Sequence, residues 1–292
     1  MSADTAMKHT APDRVGVLGG GRMGAGIAHA FLLAGSSVSV VERDDAGADA
    51  ALHRVGDSIR RSVDRDPTLD ATELNDRLST GTDIVAFGRC DLVIEAVPED
   101  RVLKEQALAL AEAAMPTHAI LASNTSSISI DDLAANRLRP ARFLGLHFFN
   151  PVPASALVEI VRGAATDADV VEHAGGWVTA LGKAPIVVSD SPGFASSRLG
   201  VALGLEAIRM LEEGVASAAD IDAAMTLGYR HPMGPLRTTD IVGLDVRLGI
   251  AEELERAFGE RFAPPALLRR MVAEGKLGRK SGEGFYTWNE ER

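Results

Sequence analysis

The chain has 292 residues, a formal net charge of −11, 46% hydrophobic and 24% charged residues, and a single cysteine, Cys90. That length can bury a sizeable core and has room for two domains, and the acidic balance argues against nucleic acid or an anionic membrane surface as a partner. One cysteine excludes an intramolecular disulfide and a cysteine-held metal cluster, and no run approaches the ~20 apolar residues of a membrane span.

Residues 1–13 lack an apolar signal core and read as a disordered leader of a cytoplasmic protein. "RVGVL" (14–18) is a short apolar strand that runs into a glycine-rich turn and an alanine-rich helix, "GGGRMGAGIAHAFLLAG" (19–35), stopped by Gly35. "SVSVV" (37–41) is a second β-branched strand. Strand, tight turn, helix and strand form a βαβ unit, which implies a parallel sheet. Two helices are expected at 46–65 and 71–78, broken at Asp66–Pro67, with basic clusters at Arg60–Arg61 and Arg65. Then follow a buried strand at 91–97, a helix at 101–115, a strand at 119–125 opening into "SNTSS", and strands at 142–148 and 156–161 joined by a proline-rich turn. A helix at 168–181 and a strand at 185–190 complete this part. Beyond "DSPGF" (190–194) strand signals vanish, and helical patterns cover 196–213, 217–227, 239–258 and 264–274. The boundaries are therefore set at 14–190 for an α/β domain and 191–292 for an all-helical one.

Three clusters carry chemistry. Gly19, Gly21 and Gly24 form G-x-G-x-x-G between a strand and a helix, flanking Arg22 and Met23. The first glycine permits the tight turn, the second lets a pyrophosphate approach the backbone, and the third lets helix and strand pack closely. Glu42 ends the second strand 18 residues after Gly24. A carboxylate there accepts from ribose hydroxyls and repels a 2′-phosphate, favouring NAD over NADP, with Arg43 as the one neighbour that softens the preference. His147 at a strand end and Glu159 in the next strand can meet if the turn folds them together, which would make the histidine a general base. A packed histidine and a solvated glutamate fit the same spacing. In "SNTSS" (123–127), Asn124, Ser126 and Ser127 follow a strand end, where open α/β sheets place ligands, and a serine there also suits a helix N-cap. His29 reads as structural and Cys90 as a buried, inert thiol. Phe148 and Phe149 are left unassigned between core and cleft wall.

With these residues assembled, the chain resembles the L-3-hydroxyacyl-CoA dehydrogenase family. "GGGRMGAGIA", "SNTSSI", "GLHFFNPVP", "LVEIV", "DSPGF", "HPMGPL", "DIVGLD" and "GRKSGEGFY" stand in family order from about Arg14 to Trp288. The resemblance implies a Rossmann-like N-terminal domain of parallel strands and a helical C-terminal domain that forms a homodimer. The implied reaction oxidises the 3-hydroxyl of a short acyl-CoA, with NAD taking the hydride. It implies that His147 is the general base, Glu159 its carboxylate partner, and Ser126 and Asn150 hydrogen-bonding residues at the substrate. It further implies cofactor contacts from Glu42, Glu99, Lys104 and Lys280. One departure is Ser197, which stands where the family has an active-site asparagine. Another is the lysine-poor hairpin at 46–80, where Arg54, Arg60, Arg61 and Arg65 are the candidates for CoA phosphates. A dehydrogenase of carrier-bound hydroxyacyl groups or free 3-hydroxy acids, and a non-catalytic NAD-binding scaffold, remain as alternatives.

Overall fold

The computed structural model describes residues 10–288 and divides into two compact units, Met1–Asp190 and Ser191–Arg292. Of the leader read at 1–13, residues 1–9 lie outside the described residues. Pro12 and Asp13 are tied to the first unit, their carbonyls accepting from Ser36 Oγ at 2.6 Å and Ser37 N at 2.8 Å.

The first unit is built on an eight-stranded sheet. Its strands are β1 (Arg14–Leu18), β2 (Ser37–Val41), β3 (Leu78–Gly81), β4 (Leu92–Glu95), β5 (Ile120–Ser123), β6 (Phe143–Phe148), β7 (Leu157–Arg162) and β8 (Ala184–Ser189). The order is β3-β2-β1-β4-β5-β6-β7-β8. β1 to β6 are mutually parallel, so the chain reverses direction across the sheet between β1 and β4, where such sheets bind ligands. The sheet is only mostly parallel. β7 pairs antiparallel with β6, and β8 follows β7, because residues 149–156 form a turn too short for a crossover helix.

Helices α1 (Arg22–Leu33), α2 (Asp45–Arg65), α3 (Ala71–Asp76), α4 (Arg101–Ala114), α5 (Ile130–Ala134) and α6 (Ala168–Ala180) accompany the strands. α1 buries Ile27, Ala28, Phe31 and Leu32 against the sheet. Each large apolar side chain buried this way contributes about 1.5–3 kcal/mol. Asp44, Asp70, Asp100 and Ser129 cap α2, α3, α4 and α5 with their side chains. β3 is a correction to the helix expected at 71–78: α3 ends at Asp76, and the short polar "LSTG" pairs with β2 through its backbone. Cys90 is buried, its thiol pushed up to about 11, mainly by burial, as its reading as an inert side chain requires.

The second unit is helical, with α7 (Ser196–Glu212), α8 (Ala218–Ala223), α9 (Pro235–Val242), α10 (Leu244–Phe258) and α11 (Ala266–Ala273) around Leu205, Ile208, Leu236, Leu244, Leu254 and Leu268. The helix expected at 217–227 stops at Ala223 and passes into a π-turn, Ala224–Gly228. The helix expected at 239–258 is two helices broken at Gly243, whose φ of +104° a side chain would resist. Two buried carboxylates fasten the C-terminal segment: Asp240 accepts from Phe285 N, Tyr286 N and Trp288 Nε1, and Asp222 from Tyr286 Oη. Among the described residues, no helix is long and apolar enough to cross a membrane.

Candidate active site

The glycine loop leaves β1 at the carboxyl edge of the sheet. Gly19 has φ +96°, which only glycine adopts without strain. A Cβ on Gly24 would stand 1.8 Å from Gly19 O, so the third glycine is required by contact between helix and turn. Gly21 has nothing within 4 Å of where a Cβ would be, which leaves the middle of the loop open to a ligand. α1 begins there with no side-chain cap and no acid in its first turn, so its N–H groups face outward with the positive end of the helix dipole. Glu42, just past β2, reaches back so that its Oε1 accepts from Gly20 N at 2.6 Å. Arg43 turns to Asp44, with Nε 2.9 Å from Oδ2. This donor set fits the pyrophosphate and adenosine ribose of a dinucleotide.

The carboxyl ends of β4 and β5 carry a polar cluster that sequence reading saw only in part. Lys104 is 1% exposed, and its Nζ lies 2.7 Å from Glu95 Oε1, 3.1 Å from Val97 O and 3.3 Å from Glu99 Oε2. Glu95, fully buried, also accepts from Ser123 Oγ at 2.6 Å. Burial raises the Glu95 pKa and outweighs the nearby ammonium. Glu95 is the functional-looking residue the sequence reading missed; the signal was an acid inside the apolar run "LVIEAV" with a lysine nine residues on. Glu99 Oε1 collects the serine loop, accepting from Thr125 Oγ1 at 2.6 Å and Ser126 N at 3.0 Å, with the Ser126 and Ser127 hydroxyls at 3.4 and 3.1 Å. Burial pushes its pKa up, but Lys104 and these donors prevail and leave it below the ordinary carboxylate value.

His147 and Glu159 face each other directly across the antiparallel β6–β7 pair. His147 Nδ1 lies 2.7 Å from Glu159 Oε2, with both side chains buried. A carboxylate accepts, so Nδ1–H donates and the lone pair of a neutral ring sits on Nε2. Asn124 Oδ1 accepts from Phe148 N at 2.9 Å and fixes the end of β6 to the loop carrying Ser126. The two phenylalanines divide. Phe148 is 2% exposed and packs edge-on to Phe31, whereas the Phe149 ring lies against His147 with centroids 4.5 Å apart. Asn150 is exposed at the start of the turn.

Beside that turn runs a groove of about 520 Å³ lined by Arg22, Arg54, Arg61, Arg65, Asn150 and Pro151, among others. Arg54 Nη1 also donates to Gly20 O at 3.2 Å. Arg60 turns away to an ion pair with Asp57. His29 also lines the groove, its Nε2 3.0 Å from Ser62 Oγ. Burial, with help from the charge of Arg61, pushes its pKa down from 6.5 to about 4. A depressed histidine pKa favours the neutral ring in the folded state. That stability is complete above the ordinary value and is lost as pH falls through the folded one, at most about 3 kcal/mol in all. Calorimetry from pH 7 to pH 4 should show a fall in Tm that is shallower in His29→Gln; equal slopes would refute the role.

In the second unit, Lys280 Nζ is paired with Asp245, at 2.5 Å from Oδ1 and 2.6 Å from Oδ2. Ser197 lies in the first turn of α7, partly exposed.

A sheet that reverses between β1 and β4, an open glycine loop beneath an uncapped helix, and an acid at the end of β2 define a dinucleotide-binding protein of the Rossmann type. The model for the NAD-binding domain of 3-hydroxyacyl-CoA dehydrogenase matches residues 14–191, and that for its C-terminal domain matches 193–288. The chain belongs to the 3-hydroxyacyl-CoA dehydrogenase family, whose NAD-dependent reaction oxidises 3-hydroxyacyl-CoA. A 3-hydroxybutyryl-CoA dehydrogenase of Mycobacterium tuberculosis is 44% identical over 282 residues, 94% of this chain and 98% of that one. A probable 3-hydroxybutyryl-CoA dehydrogenase of Deinococcus radiodurans is 40% identical over 277 residues, covering 94% and 100%. Among solved structures, (S)-3-hydroxybutyryl-CoA dehydrogenase PaaH1 from Ralstonia eutropha superimposes with a TM-score of 0.91 at 39% identity, over 96% of this chain and 100% of that one.

Proposed function

We propose that this enzyme oxidises short L-3-hydroxyacyl-CoAs, 3-hydroxybutyryl-CoA among them, with His147 as the acid–base group. The observation that carries the reading is the 2.7 Å contact between His147 Nδ1 and Glu159 Oε2 at the carboxyl edge of the sheet. Glu159 holds the tautomer and stabilises the ring once it is protonated. His147 Nε2 takes the proton from the 3-hydroxyl, and in the reverse direction the charged ring returns it to the oxygen. NAD, when bound, would supply the acceptor for the hydride that leaves C3 of the substrate. Ser126, held by Glu99, and Asn150 hold the reacting oxygen. Gly19, Gly21, Gly24 and the first turn of α1 take the pyrophosphate, and Glu42 the ribose. Glu99 and Lys104 act from behind, the lysine too buried to serve as more than a support for the loop. Arg22, Arg54, Arg61 and Arg65 offer a cationic groove for the phosphates of CoA. Residues 14–190 thus serve the cofactor and the chemistry. Residues 191–292 serve substrate recognition and assembly of a cytoplasmic homodimer, and the exposed apolar Leu199, Leu227 and Tyr229 support an interface there.

Turnover of acetoacetyl-CoA with NADH, compared with its pantetheine thioester and free acetoacetate, tests the substrate class. The CoA ester should be strongly preferred; equal rates on the free acid would overturn the reading. The Glu42 carboxylate gives a second expectation. A 2′-phosphate would meet a like charge, so kcat/KM should favour NADH over NADPH by about 100-fold. Equal efficiency would show that Arg43 had swung round to outweigh the acid.

A further inference from the structure

Glu95 is the last residue of β4 and stands in register with Ser123, the last residue of β5. Its fully buried carboxylate holds three groups. Oε1 accepts from Val97 N at 2.7 Å and lies 2.7 Å from Lys104 Nζ, and Oε2 accepts from Ser123 Oγ at 2.6 Å. Two of these contacts lead on to one place. Ser123 Oγ accepts in turn from Thr125 N at 3.2 Å. Lys104 Nζ reaches Glu99 Oε2, and Glu99 Oε1 accepts from Thr125 Oγ1, Ser126 N and Ser127 N. Both routes from Glu95 therefore end on the loop 125–127, one through a hydroxyl and one through an ion pair.

Stability is a poor account of this arrangement. Glu95 and Lys104 are both out of water, and replacing such a pair by apolar residues of similar size is often neutral or stabilising. Lys104 also lies among the first four residues of α4, where the positive end of the helix dipole disfavours a cation. The rest of β4, Leu92, Val93 and Ile94, is apolar, so a fourth hydrophobic side chain would have closed the strand. Such a side chain could not hold a hydroxyl and an ammonium at fixed points. Carboxylate oxygens impose distance and direction on both.

We infer that Glu95 is a positioning residue for the reaction: by holding Ser123 and Lys104 it sets where the loop 125–127 presents Ser126 to the substrate oxygen. The inference rests on the reading above that Ser126 holds that oxygen. Glu95 is buried and acts only through its partners. A loop tied from two sides has one resting position, and a misplacement of about 1 Å at a reacting group can cost about 100-fold in rate. Asn124 N also donates to Glu95 O at 2.8 Å, but that backbone bond survives a change of side chain. Side-chain variants therefore isolate the two routes.

The test is a double-mutant cycle in kcat, with acetoacetyl-CoA and NADH, built from Glu95→Gln and Ser126→Ala. Glutamine keeps the shape of the side chain but offers a neutral amide to Lys104 and Ser123. Glu95→Gln should lower kcat about 30-fold with little change in KM. Ser126→Ala should lower it about 100-fold, as loss of a group that holds a reacting oxygen does. The double variant should be within about threefold of Ser126→Ala alone, because a residue that acts through Ser126 has nothing left to act on. A residue that only supports the fold would give multiplied losses, about 3,000-fold in the double variant, and that result would overturn the inference. So would a normal kcat in Glu95→Gln. Should Glu95→Gln fail to fold, Ser123→Ala takes its place in the cycle. It removes one hydroxyl and cuts one route, so the loss should be about fivefold, judged in the same way. A normal kcat in Ser126→Ala would instead bring down the reading on which the inference rests, and the inference with it.

Discussion

Replacing His147 by glutamine should lower kcat for reduction of acetoacetyl-CoA by NADH about 10³-fold, within the usual range for loss of a general acid–base group. Glutamine preserves the approximate size of the ring and carries an amide near the Nε2 position, so KM should change little. The pairing also sets an expectation for Glu159→Gln. A neutral partner still orients the ring but no longer stabilises its charged form, so the loss in kcat should be smaller, about 10–100-fold. A near-normal turnover number in His147→Gln would sink the assignment. A near-normal kcat in Glu159→Gln would reduce the glutamate to a packing role.

The glycine loop permits a sharper pair of experiments. A methyl group on Gly24 would be driven into Gly19 O, at 1.8 Å, so Gly24→Ala must part the helix from the turn. Both stability and NAD binding should fall, the former by about 2 kcal/mol or more, as overpacking against backbone does. At Gly21 the same methyl meets no protein atom within 4 Å. Gly21→Ala should therefore leave the Tm nearly unchanged while weakening NAD about 100-fold, because the methyl takes the space through which the pyrophosphate reaches the backbone. Calorimetric titration with NAD alongside thermal denaturation separates the two. If Gly21→Ala binds NAD normally, the pyrophosphate does not cross the loop there.

The fold was most legible where period and punctuation agreed. β1, α1 and β2 announce themselves through β-branched strands, a glycine turn and a terminal glycine, and the edges lie within a residue or two. β3 was not legible, because four residues with one apolar side chain carry no period, and only pairing with β2 makes them a strand. The break at Gly243 was missed for a related reason: apolar spacing runs on through it, and the positive φ is a property of the fold. In the site, residue types and spacing named His147 and Glu159 as candidates but left them apart, since a 12-residue separation becomes contact only through the β6–β7 turn. The resemblance supplied Lys104 as a cofactor contact, and burial gives it a different place, beneath Glu95 and Glu99.

The register of β6 against β7 has a further consequence. Register is a discrete variable: a strand can slip by one residue but not by a fraction of one. A slip of β7 by one would set Val158 or Ile160 opposite His147 and turn Glu159 to the other face of the sheet. Val158 and Ile160 belong to the main apolar core together with Leu146 and Phe148, so the same slip would also pull that core apart. The alignment of His147 with Glu159 is thereby locked to the alignment of the core. Residues 149–156 can accept an insertion that bulges outward, because the strands re-pair as before. What they cannot accept is an inserted residue absorbed by the strand itself, which would part His147 from Glu159 and cost stability in a single step.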